Sequence, residues 1–159
     1  MLLPAPAFQD LVRNAPLLAV DFLVSNTLGS VLLGRRRNPP AAGSWCVPGG
    51  RVRKNETLAA AVARKLREEL GIETVPELEF RGVYEHFFSD SSFDQNVATH
   101  YVALVFAFTI SAEMVIRACP QHEEFRFFTR EEVMERPDVP QEVKAYLEGN
   151  FLSHLNLAI

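Results

Sequence analysis

Cysteine and surplus positive charge are both scarce in this chain. Only Cys46 and Cys119 occur among 159 residues, too few and too far apart for a disulfide framework or a zinc ligand set, so both are expected as small apolar side chains. Sixteen Lys and Arg stand against twenty Asp and Glu, a formal charge of −4. That balance argues against a nucleic-acid partner, which needs excess Lys and Arg to displace counterions. A few arginines converging on one pocket would still bind phosphate groups. No apolar run reaches the roughly 18 residues that span a bilayer, and no basic-then-apolar leader with a small-residue cleavage site opens the chain. A soluble, cytoplasmic protein without a membrane partner is the expectation. No repeat or linker divides the sequence, so residues 1–159 read as one domain.

Apolar residues make up 48% of the chain, and twelve Phe outnumber three Tyr and one Trp, enough for an aromatic-rich core. Phe8, Leu11 and Val12 have helical spacing. Leu17–Val24 is an apolar run broken only by Asp21, a strand that turns at Asn26–Gly29 into a returning arm at Val31–Leu33. Pro39 and Pro40 enforce a loop, and Trp45–Val47 reads as a short strand. Further strands are expected at Phe80–Phe88, Thr99–Ile110 and Phe125–Phe128, with Ser89–Asn96 as a polar loop. Thr129 and Glu132 have the spacing of a capping box, and a last helix is expected at Gln141–Leu147 after Pro140. Strands and helices intermix without regular βαβ alternation. The reading is α/β of the α+β type, a mixed sheet sandwiched between helices.

The clearest helix lies between Asn55, a candidate N-cap, and Gly71, a candidate left-handed C-terminal residue. Leu58, Val62, Leu66 and Leu70 recur every four residues and predict one buried stripe. Before it, Pro48-Gly49-Gly50 allows bare backbone to approach a ligand. Arg64, Glu68 and Glu69 gather on the last turns, and with Glu56 they offer the hard oxygen ligands that suit Mg²⁺ beside a phosphate. The plainer alternative is decoration of an exposed face, because Arg64 with Glu68 and Lys65 with Glu69 are i,i+4 opposite-charge pairs.

Residues 50–72, GRVRKNETLAAAVARKLREELGI, resemble the Nudix box, G-x5-E-x7-R-E-U-x-E-E-x-G-U, in which U is a bulky aliphatic residue. Gly50, Glu56, Arg64, Leu66, Glu68, Glu69, Gly71 and Ile72 fall in register. Lys65 stands where the pattern has its first R-E glutamate, which removes a metal ligand and adds a positive charge. The resemblance implies the Nudix fold. Beyond the box, the chain is similar to the GDP-mannose mannosyl hydrolase branch at residues 16–22, 33–36, 45–52, 82–87, 99–102 and 121–122. That branch is known for an altered box, although Glu68 is a residue the branch can lack.

The resemblance implies an inverting attack of water at the anomeric carbon of GDP-mannose, or of a related GDP-sugar such as GDP-glucose, giving GDP and free sugar. It implies one Mg²⁺, replaceable by Mn²⁺, held by the Gly49 carbonyl, Glu69 and Gln121, with Glu68 as an extra ligand. It assigns the general base to His122 and the diphosphate to Arg36, aided by Tyr101 and Arg51. Asp21 and His86 match positions lining the sugar and phosphate pocket, and Leu2, Leu3 and Phe8 match a segment that contacts the nucleotide. A homodimer is implied as well. From charge alone, Asp21 inside an apolar strand needs a partner, and Arg36 or Arg51 would serve. Two other readings stay open: a standard Nudix pyrophosphohydrolase giving NMP and sugar 1-phosphate, and a non-catalytic domain that binds nucleotide sugars.

Overall fold

The computed structural model describes residues 3–111, 113, 114, 116 and 119–149. Strand β1 (Leu17–Asn26) is buried along nearly its whole length, as expected of a strand covered on both faces. It runs parallel to β6 (Thr99–Ile110) from Leu17 opposite Tyr101 to Asn26 opposite Ile110. Antiparallel to β6 on its other side lies β5 (Glu79–Phe88).

The opposite edge of β1 forks. Its first half pairs with the short β4 (Gly49–Arg51), with Asp21 opposite Gly49. Its far end pairs with β2 (Val31–Arg36) at Ser25 opposite Val31. Strand β2 in turn pairs with β3 (Trp45–Cys46) and with β7 (His122–Phe128). Among the described residues these seven strands form one mixed sheet.

Helices cover both faces. Helix α2 (Leu58–Lys65) continues as one wider π-type turn, Leu66–Leu70. It covers the face that carries Val20, Phe22, Val24, Leu32 and Phe108. The other face carries Leu23, Leu33, Trp45, Tyr84 and Val105, packed beneath α3 (Arg130–Glu135) and α4 (Gln141–Glu148). Helix α1 (Ala5–Asn14) precedes the sheet. This is the mixed sheet between helices that the sequence predicts. No helix among the described residues is long and apolar enough to cross a membrane.

Three local expectations need correction. Thr57, not Asn55, caps α2: its Oγ1 accepts from the Ala60 N–H at 3.1 Å. Asn55 sits instead in the turn before it, in the left-handed conformation (φ 65°) that Asn tolerates better than most residues. Leu58 is 44% exposed, because it precedes the part of the helix lying over the sheet; Val62, Leu66 and Leu70 are buried as expected. Lys65 and Glu69 do not decorate an exposed face. They are 3% exposed each, since residues 61, 65 and 69 flank the 62-66-70 row and turn inward with it. Gly71 does end the turn in the left-handed region (φ 68°), and the Thr129–Glu132 capping box is complete.

Leu66 is 0% exposed between sheet and helix. Leu66→Ala is therefore expected to lower unfolding free energy by about 2–5 kcal/mol, the range for a buried large-to-small change. Urea denaturation would check this, and a loss below about 1 kcal/mol would contradict the packing described.

Candidate active site

Period-two alternation builds the site. In the β1–β6–β5 register, Ala19 and Asp21 face the same side as Tyr101, Ala103 and Val105, and as Tyr84 and His86. That side is the one α4 covers. There Asp21, Arg36, Gly49, Gly50, Arg51, His86, Tyr101 and Gln121 line one cavity of about 270 Å³, with Phe8 and Phe88 also on its wall. The volume is near the lower end of small-ligand pockets, which span about 300–1,000 Å³. The fork in β1 makes this opening possible, since β4 and β2 leave β1 at different points.

Asp21 is held by tyrosine, not arginine. The Tyr146 hydroxyl donates to Asp21 Oδ2 at 2.7 Å and also meets His86 Nε2. Tyr146 has one proton and gives it to the carboxylate, so His86 completes the chain as the Nε2–H donor. The sequence reading expected Arg36 or Arg51 to satisfy Asp21. Arg36 Nε instead donates to the Pro40 carbonyl at 2.8 Å, and the Arg51 guanidinium lies 3.9 Å over the Phe8 ring. Burial raises the Asp21 carboxyl to about 6, opposed by the Tyr146 hydrogen bond and the charge of Arg36. Burial also lowers His86 to about 4 and raises Tyr101 above the usual phenol value. Tyr146 was missed by the sequence reading. Its spacing three residues after Val143 marks it as core, and its only polar signal is the hydroxyl that a buried tyrosine must satisfy.

Glu69 and His122 stand behind the cavity wall. Glu69 Oε2 accepts from the Gly49 N–H at 3.0 Å, while Oε1 lies 2.6 Å from Lys65 Nζ. Burial, countered by Lys65, raises the Glu69 carboxyl above its ordinary value. His122 is 1% exposed. Its Nδ1 lies 3.7 Å from Glu69 Oε2 and 3.5 Å from Cys119 Sγ. The ring packs so closely on Gly34 that a Cβ there would meet His122 Cδ2 at 2.6 Å. Burial, with Arg36 and Lys65 nearby, lowers His122 to about 4. His122 is thus not among the residues that line the cavity, although its neighbour Gln121 is. A histidine in a polar stretch looks exposed in sequence; the pairing of β7 with β2 encloses it.

The other box residues form a clamp. Arg64 binds Glu56 through Nε at 2.6 Å and Nη2 at 2.8 Å, and Nη1 reaches Glu68 at 3.2 Å. Nη2 also donates to the Arg51 carbonyl at 3.0 Å. The Arg64 hydrogen bonds hold the Glu56 carboxyl down to about 2. This fork ties the loop after β4 to α2, so Glu56 is a structural partner and not a spare metal ligand.

The Mg²⁺ implied by the resemblance can be tested on these contacts. Gly49 and Gln121 line the cavity, but Glu69 does not, and its two oxygens face Lys65 and the Gly49 amide. Glu68 faces Arg53, Arg64 and Lys65. Among the described residues, no three His, Cys, Asp or Glu side chains converge to hold a metal. The expected donor set does not fit one ion in this arrangement. Of the nucleotide-contact residues, Phe8 lines the cavity, Leu3 is 46% exposed before α1, and Leu2 lies outside the described residues.

Comparison with known proteins agrees with this architecture. The low-salt glycan biosynthesis protein Agl8 of Haloferax volcanii is 38% identical over 126 residues, 79% of each chain. The crystal structure of a MutT protein from Methanosarcina mazei Go1 superposes with a TM-score of 0.68 at 27% identity, covering 85% of this chain and 93% of that one. A MutT NUDIX hydrolase from Burkholderia pseudomallei superposes with a TM-score of 0.69 at 27% identity, over 86% and 99% of the two chains. The NUDIX domain family matches residues 15–148, from just before β1 to the end of α4. With the sheet, the box helix and the covering helices all inside that span, this chain belongs to the NUDIX domain family.

Proposed function

We propose that this chain hydrolyses a nucleoside-diphosphate sugar, with GDP-mannose the first candidate, by attack of water at the anomeric carbon. The observation that carries the reading is a single cavity wall bearing two guanidiniums, Arg36 and Arg51, together with a carboxylate raised into the range of a neutral-pH base. The water oxygen bonds to the anomeric carbon on the face opposite the leaving group. The bond from that carbon to the β-phosphate oxygen breaks, its electron pair leaves on GDP, and the water proton passes to Asp21. Arg36 and Arg51 meet the negative charge that develops on the diphosphate, where always-charged guanidiniums stabilise it most. Tyr101 and Gln121 complete the wall around the phosphates.

The resemblance assigned the base to His122. Asp21 lines the cavity and His122 does not, which supports giving that role to Asp21, oriented by Tyr146 and His86. A base with pKa near the working pH is the efficient one, and Asp21 at about 6 meets that condition better than a histidine near 4. The similarity to a glycan biosynthesis protein supports a sugar-bearing substrate. Attack at carbon is favoured over attack at phosphorus because the box carboxylates are all engaged with Arg53, Arg64 and Lys65. A homodimer, implied by the same resemblance, belongs to this proposal and is read by sedimentation equilibrium.

Turnover of GDP-mannose in ¹⁸O-water should place the label in free mannose. Label in GMP or mannose 1-phosphate would instead establish pyrophosphate cleavage, and no product would leave a binding domain. The pH profile of kcat/KM should rise with unit slope to about pH 6 and level above it, because Asp21 must be ionised. A profile flat between pH 4.5 and 8 would remove Asp21 as the base.

Asp21→Asn should lower kcat by roughly 10²–10⁴-fold and yet stabilise the fold. A carboxyl raised from 3.8 to about 6 favours the folded state below pH 3.8, and that contribution disappears as pH rises through 6. Asn, which never ionises, should therefore raise Tm by roughly 3–8 °C at pH 7.5 and by almost nothing at pH 4. Equal effects at both pH values would show that burial does not strain this carboxylate.

A further inference from the structure

Lys65 is the residue that departs from the Nudix pattern, and the structure shows where its ammonium goes. It is 3% exposed, with Nζ 2.6 Å from Glu69 Oε1 and 3.4 Å from Glu68 Oε2. Its stem lies against the bare Cα of Gly50, where an added Cβ would meet Lys65 Cε at 2.7 Å and Nζ at 3.0 Å. Gly50 lines the cavity, so the ammonium sits directly behind the wall, between the glycine backbone and the last carboxylate of the box. Three box carboxylates, Glu56, Glu68 and Glu69, face three cations, Arg53, Arg64 and Lys65. The cluster is neutral without any added ion.

We infer that Lys65 is a resident cation that occupies the position beside Glu69 and Gly50 where the family's box would otherwise hold a divalent metal. A fixed ammonium supplies one positive charge next to Glu69 and makes no demand on coordination geometry. A dication brought to the same carboxylate must either displace it or sit within a few ångströms of it. Repulsion between a dication and an ammonium at about 4 Å amounts to several kcal/mol even at an effective dielectric constant near 20, which is orders of magnitude in affinity. Leaving the lysine buried without Glu69 is equally unfavourable, because an unpaired interior charge is strongly destabilising. The ion pair and the metal therefore compete for one site.

Titration with Mn²⁺ alone, followed by the electron paramagnetic resonance signal of free Mn²⁺, tests this on the full chain. The unsubstituted protein should bind Mn²⁺ only weakly, with Kd above about 1 mM. Lys65→Met, which removes the charge at similar length, should tighten binding by at least about tenfold. Lys65→Glu, which also adds a hard oxygen ligand, should tighten it by at least about 100-fold. Near-UV circular dichroism reports whether each variant keeps its packing; if Lys65→Glu does not fold, the comparison of Lys65→Met with the unsubstituted protein still decides. Micromolar binding by the unsubstituted protein, or equal affinity in it and Lys65→Met, would overturn the inference, since the ammonium would then simply move aside. No substrate enters this titration, so its outcome is separate from that of the cleavage reading.

Discussion

Everything at the site depends on the parallel pairing of β1 with β6, because that pairing carries Asp21 into the middle of the sheet. Ten successive residues of β1 face ten of β6, and strict alternation then sends Val20, Phe22 and Val24 to one helical layer and Asp21 to the other. A slip of one residue would bury Asp21 beneath α2 among apolar side chains and would expose the row that now packs there. The register is therefore enforced by the core. The position of the carboxylate follows from it, as does its meeting with Tyr146 on α4.

Two carboxylates of the interior, the half-buried Asp21 and the buried Glu69, receive contrasting treatment. Glu69 is neutralised by a full charge at 2.6 Å and tied to backbone at Gly49. Asp21 receives a neutral hydroxyl and feels Arg36 only at longer range, and burial raises both carboxyls above the ordinary value. The ion pair holds Glu69 behind the cavity wall, whereas the hydroxyl orients Asp21 on the wall itself. One glycine separates the two environments: the Gly49 amide bonds Glu69, while an added Cβ on Gly49 would lie 2.3 Å from Asp21 Oδ1. No larger residue would let the two carboxylates approach the same strand from opposite sides.

The box helix has a mechanical part to play as well. Arg64 fastens the loop after β4 to α2 through Glu56 and the Arg51 carbonyl, and Lys65 fills the space beside Gly50. Residues 49–51 are thereby held from behind while their front surface lines the cavity. The wider turn at Leu66–Leu70 brings Glu69 to bear on the same strand, a kind of helix irregularity often found at functional sites.

The helices, the long strands of the sheet and the box were legible in sequence because each rests on local pattern, whereas the short β4 was not. Apolar continuity marked β1, β5 and β6, spacing marked the box helix, and Gly71 and Thr129 marked helix ends with their own chemistry. Asp21 was legible as an anomaly, a carboxylate inside an apolar run. What only the tertiary structure decided was which groups meet. Tyr146 lies 125 residues from Asp21, His122 is enclosed by the pairing of β7 with β2, and Lys65 reaches Glu69 in the interior, not at the surface. Local patterns report the backbone and the face of each element. The partner of a buried charge is set by packing between elements, and that is where Asp21, Arg64 and Lys65 meet theirs.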